Sequence, residues 1–156
     1  MEAIKAAARE ILDQCCADLR VTLNGLDEAA LTREPAPETS SIGTLIRHTA
    51  SATHFLLTCA ATGRGERTQY RAVVRPAAFG NEPSPSGALI GIVDAMEEDC
   101  RKLIAAIPID RLDERVAMDD AAPGESQTRA YSLFHAIEHL REHVGHAQLT
   151  RQVLTS

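Results

Sequence analysis

Four long stretches of the chain repeat apolar residues at three- and four-residue intervals, and the segments between them are broken by proline and glycine. That spacing follows the 3.6-residue turn of an α-helix, so each stretch carries an apolar stripe that must be buried against another. In the first, Ile4, Ala8, Ile11, Leu12, Cys15, Leu19 and Leu23 share a face, and Asn24-Gly25 supplies a C-terminal stop. The second covers about 41–62, with Thr39, Ser40 and Ser41 as candidate N-caps and Gly63 and Gly65 past its end. In the third, Leu89, Ile92, Val93, Met96, Cys100, Leu103 and Ile107 mark a helix that starts near Ser86 and is stopped by Pro108. The fourth covers about 127–153, with no proline and a single internal glycine, Gly145.

Four helices of about 20 residues, each with one apolar face, predict an all-α four-helix bundle, and the length of 156 residues predicts one domain over 1–156. The connection 27–40 carries Pro35 and Pro37 and is predicted to hold one turn of helix. In 70–87, which contains Pro76, Pro83 and Pro85, residues 71–75 read as a short extended piece. A second long connection, 109–127, contains Pro123-Gly124. Connections this long permit neighbours that are not sequential.

Sixteen Lys and Arg against twenty-two Asp and Glu leave a net charge of −6, which offers no general attraction to nucleic acid or to anionic lipid. The apolar runs are too short to span a bilayer. The N-terminal stretch carries Glu2, Lys5, Arg9 and Glu10 where a secretory leader needs an apolar core, so a cytoplasmic location is expected. The cysteines Cys15, Cys16, Cys59 and Cys100 have no C-x-x-C spacing and read as buried free thiols on helix faces. No phosphate-cradling glycine motif and no Ser-His-Asp arrangement is present. Arg151, on the buried side of the last helix, is expected to form an internal ion pair.

All six histidines fall in two helices: His48 and His54 in the second, His135, His139, His143 and His146 in the fourth. His139 and His143 stand about 40° apart, one turn above each other, where one metal ion can reach both. They border the apolar arc formed by Leu133, Ala136, Leu140, Val144 and Ala147. Two ligands on one helix hold only one side of an ion, so a third should cross from a facing helix. His48 shares the inward stripe of Leu45, Ala52, Phe55 and Cys59, whereas His54 is turned about 120° away from it. His135 would stretch the reach from His143 to about 12 Å along the axis, and Cys59 lies about 16 Å from His48. Glu138 and Glu142 read as charged helix surface. Three neutral imidazoles leave coordination positions open to water or substrate, as in catalytic sites.

The segment Ser41-Ile42-Gly43-Thr44-Leu45-Ile46-Arg47-His48 and the last-helix pattern of His139, His143, Gly145 and Arg151 resemble the corresponding helices of the DinB-like superfamily. Gly25-Leu26, and Pro35 and Pro37 ahead of the serine pair, are similar to the family's approach to its second helix. The resemblance implies a bundle with up-down-down-up connectivity that carries a divalent metal, zinc or nickel, on His48, His139 and His143. Many members have a second His directly after the last ligand and a Gln after the glycine. This chain has Val144 and His146 there, closer to a subgroup with Gly-His, and this leaves His54, His135 and His146 as alternative or additional ligands. Relatives include bacillithiol transferases and the mycothiol-dependent maleylpyruvate isomerase. The function so implied is a metal-dependent thiol transferase, or a related enzyme that activates a thiol or water, working as a homodimer on a low-molecular-weight thiol or other small molecule. The alternative is a non-catalytic bundle that acts through dimerisation or small-ligand binding.

Overall fold

A computed structural model describes residues 2–80, 82–83, 85–122 and 125–156; the expected turn at Pro123-Gly124 lies outside the described residues. The helix α1 (Glu2–Leu23) ends where Gly25 takes φ +76°, a left-handed conformation that costs glycine least. Asp27 then caps the short α2 (Glu28–Thr32) by accepting a hydrogen bond from the Ala30 N–H at 2.8 Å. Helix α3 (Ile42–Thr62) starts at Ser41, whose Oγ accepts from the Thr44 N–H at 3.2 Å, and closes at Gly63 with φ +73°. Helix α6 (Ser86–Ala106) stops before Pro108, and α7 (Arg129–Thr155) starts at Thr128, whose hydroxyl accepts from the Tyr131 N–H.

The four long helices form the bundle expected from their stripes. Each of α1 and α3 packs against both α6 and α7. Lys5 Nζ reaches the Ala105 carbonyl and Arg101 pairs with Asp13, so α1 and α6 run in opposite directions. Arg141 pairs with Asp18 and Arg151 reaches the end of α1, so α1 and α7 run the same way. Helices α3 and α7 are opposed, with Arg129 beside residues 60–62 and His48 beside His139 and His143. Leu12, Leu19, Ile46, Leu57, Leu89 and Leu140 are among the fully buried side chains, each stabilising the fold by roughly 1.5–3 kcal/mol. All four cysteines are buried and free. Among the described residues no helix is long and apolar enough to cross a membrane.

Two expectations need correction. Residues 71–75 are helical, not extended: α4 (Arg67–Gln69), a π-helical turn (Tyr70–Val74) and α5 (Arg75–Ala78) form one continuous segment. Val73 and Val74 favour a strand locally, but the Tyr70 ring stacks on Phe55 of α3 at 4.4 Å and fixes the segment against the bundle. The wide turn also suits Pro76, which has no N–H for the α-helical ladder; the Arg75 N–H ahead of it bonds to the Tyr70 carbonyl, five residues back. Arg151 forms no ion pair among the described residues. Its Nη1 instead donates to the carbonyls of Val21, Thr22 and Asn24 at 3.0, 2.5 and 2.8 Å, covering the electronegative end of α1, where helical carbonyls lack partners.

A two-residue parallel pair, β1 (Arg64–Gly65) with β2 (Ala117–Met118), ties the end of α3 to the connection before α7. This positions the segment 67–78 across one face of α3, where it forms a wall of the site described next.

Candidate metal centre

Helix α3 presents His48 into the bundle, 8% exposed, opposite His139 and His143 on α7, which are partly buried. One nitrogen from each of the three rings lies within 4.8 Å of the others. His139 Nε2 and His143 Nε2 are 3.1 Å apart, and the His48 ring centroid is 5.1 and 5.0 Å from those of His139 and His143. Tetrahedral bonds of 2.0–2.1 Å to one ion would set such nitrogens about 3.3 Å apart, so the three rings need only small adjustments to share it. No carboxylate or thiolate belongs to the group, so a bound divalent ion would keep its full charge and act as a strong Lewis acid.

The surroundings keep these rings unprotonated. Burial, with the neighbouring histidines and Arg75 adding repulsion, lowers the His48 and His139 imidazoles to about 4, and burial likewise lowers His143. Neutral imidazole is the form that ligates a metal. Nδ1 of His48 and of His139 is buried without a hydrogen-bond partner among the described residues, so among them this cluster is not a self-satisfied polar network.

These shifts predict a pH dependence for chelator-treated protein. Because the folded pKa lies below the unfolded value of about 6.5, the unfolded chain binds more protons between pH 6.5 and 4. The stability contribution is therefore complete above pH 6.5 and is lost as pH falls toward 4. Urea unfolding at pH 7 and pH 4.5 should show a loss on the order of 2 kcal/mol for each of His48 and His139, with a smaller total loss for His139→Gln. Equal losses in both proteins would contradict this.

The remaining histidines stand outside the group. His54 is exposed on α3. His135 lies one turn before His139, with centroids 5.9 Å apart, and its Nδ1 is 3.5 Å from exposed Glu138. His146 is exposed, its Nδ1 3.4 Å from Nδ1 of His143. Nε2 of His143 is turned to His139, so its Nδ1 faces His146 on the exposed side of the cluster.

A cleft of about 660 Å³ leads to the cluster, bounded by His48, His135 and His139, by Tyr70 and Tyr131, and by Arg67, Arg71 and Arg75. Phe79, just after α5, covers His48 with ring centroids 4.7 Å apart. The residue pattern gives no sign of this wall, because it lies in a connection without long helical periodicity, of which residues 71–75 read as extended. A second cavity of about 530 Å³, lined by Phe55, Cys59, Tyr70 and Val74 among others, includes none of the three histidines.

The cysteines are buried and poorly suited to act as nucleophiles. Burial raises all four thiols, Cys59 to about 11 and both Cys16 and Cys100 to about 12. A disulfide reagent is expected to modify none of them in the native protein and all four after denaturation. Rapid modification of a native thiol would overturn that expectation.

A sequence model of the family described as mycothiol-S-transferase matches residues 7–156. No curated protein gives a significant match. Among solved structures, the fold is similar to that of a conserved protein from Enterococcus faecalis, with 18% identity, a TM-score of 0.76 and 96% of each chain covered. It is also similar to a DinB-like protein from Bacillus subtilis, with 13% identity, a TM-score of 0.73, and 96% of this chain and 93% of that one covered.

Proposed function

The chain belongs to the mycothiol-S-transferase family, within the DinB-like superfamily, and from that premise we propose that it is a metal-dependent thiol transferase. His48, His139 and His143 would hold a divalent ion, zinc or nickel, and the ion would lower the pKa of a low-molecular-weight thiol so that its sulfur attacks as thiolate. The observation that carries this reading is the meeting of three imidazoles from two helices, with His48 and His139 lining an open cleft.

The protein's own groups have separable tasks. The three rings stay neutral near pH 7 because burial opposes their charging. Phe79 and the bundle shield His48 from water on one side, while the cleft admits substrate past Tyr70 and Tyr131. The protein's thiols are buried and held protonated, so the reacting sulfur must come from a substrate.

The test is thiol alkylation with a fluorogenic electrophile, comparing mycothiol, bacillithiol and simpler thiols. Metal-loaded protein should accelerate the reaction of at least one thiol, and chelator treatment should abolish that acceleration. Rates that do not depend on protein or on metal would refute the transferase reading.

We also propose a homodimer. Ile11 and Phe134, 39% and 60% exposed, border an apolar groove between the starts of α1 and α7 that a second copy could cover. Light scattering at micromolar concentration should give twice the mass of one chain; a monomer mass would count against it.

A further inference from the structure

The cleft leading to the histidines is walled by three arginines and, among its described lining residues, by no carboxylate, in a chain whose net charge is −6. The three arginines are not equivalent. Arg67 is engaged by Asp120 at 2.5 Å and lies 3.8 Å from Glu125. Arg71 meets the other oxygen of Asp120 at 3.3 Å, with its side chain 62% exposed. Arg75 has no ion-pair partner among the described residues, although it lies one turn from Arg71.

Arg75 is nevertheless held in place. Its guanidinium carbon lies 5.0 Å from the centroid of the Phe79 ring, and that ring packs on His48. Its positive charge is felt by both His48 and His139. An aromatic ring thus sets a cation without an ion-pair partner among the described residues beside His48 and His139, with Arg71, half neutralised, next to it. A guanidinium fork matches one carboxylate with two parallel hydrogen bonds.

We propose that Arg75, assisted by Arg71, binds the carboxylate of a small acidic substrate whose reacting end then faces His48, His139 and His143. This names a substrate class for the cleft and rests on the thiol-transfer reading only for what happens at the reacting end. The carboxylate contact itself needs no metal.

Binding of two thiols that differ in one group tests it: N-acetylcysteine, which carries a carboxylate, and its neutral amide, N-acetylcysteinamide. Each is titrated calorimetrically at pH 7 into the full-length protein, once zinc-loaded and once chelator-treated. N-acetylcysteine should bind roughly tenfold more tightly in both states. Arg75→Gln should remove most of that preference and Arg71→Gln a smaller part, with melting temperatures unchanged. Wild-type protein that binds both thiols alike, or neither, would overturn the proposal, as would a preference that survives both substitutions. If zinc strengthens neither thiol while the carboxylate preference persists, the anion site stands and the thiol-transfer reading fails.

Discussion

Replacing His48, His139 or His143 singly by alanine is expected to weaken zinc binding more than about a hundredfold and to leave the helical content unchanged. Losing an outer-shell partner of a metal-binding histidine already costs about 10–100-fold, and losing the ligand itself should cost more. The helices should survive because these rings add little to the apolar packing. Leu133, Ala136, Leu140, Val144 and Ala147 bury the inner face of α7 without them, and His48 sits among Leu45, Ala52 and Leu56 on α3. His54→Ala is the control, since that ring is exposed and outside the cluster; its affinity should be unaltered. Dialysis against buffered zinc followed by metal analysis gives the answer, and stoichiometric zinc in the His139→Ala/His143→Ala double variant would contradict the assignment.

The second large effect concerns stability. Arg129, only 5% exposed, donates from Nη1 to the carbonyls of Ala60 and Ala61 at 3.0 and 2.9 Å and from Nη2 to that of Thr62 at 3.3 Å, and Glu114 lies 3.4 Å from its Nε. One buried cation therefore covers the last carbonyls of α3, where the helix dipole is negative and no helical N–H remains. Arg129→Ala would strand those carbonyls and leave a cavity, at about 3–5 kcal/mol. Arg129→Lys should recover only part of the loss, because an ammonium lacks the planar fork that serves several carbonyls at once. Gly63→Ala attacks the same joint from the other side: its left-handed φ of +73° disfavours a side chain, and the added Cβ would run into the Arg129 guanidinium. Urea unfolding at pH 7 measures both, and a loss below about 1 kcal/mol for Arg129→Ala would show that the joint matters less than its geometry implies.

These two sites differ in how far the sequence could reveal them. Helix ends were legible because their signals are local: Ser41 caps with its own side chain, Gly25 and Gly63 turn left-handed, and Pro108 bars continuation. The pairing of His48 with His139 and His143 followed from helical periodicity, since three inward rings in a bundle have little choice of neighbours. The covering segment 67–78 could not be read the same way. Its π-helical turn depends on Tyr70 meeting Phe55, and its anchoring strands join residues about fifty positions apart. Arg129 and Arg151 were missed or misassigned for a related reason. Both serve carbonyls at the ends of other helices, and backbone acceptors leave no mark in a residue pattern. One signal was available: an arginine in the first turn of a helix opposes that helix's own dipole, which suggests a partner elsewhere.

The most direct test of the metal centre is anomalous diffraction at the zinc edge from crystals of the zinc-loaded protein, prepared without a histidine tag. One peak is predicted, 2.0–2.1 Å from a ring nitrogen of each of His48, His139 and His143, with its remaining coordination positions facing the cleft. A peak ligated by His135 or His146 in place of His48, or no peak within the bundle, would contradict the assignment.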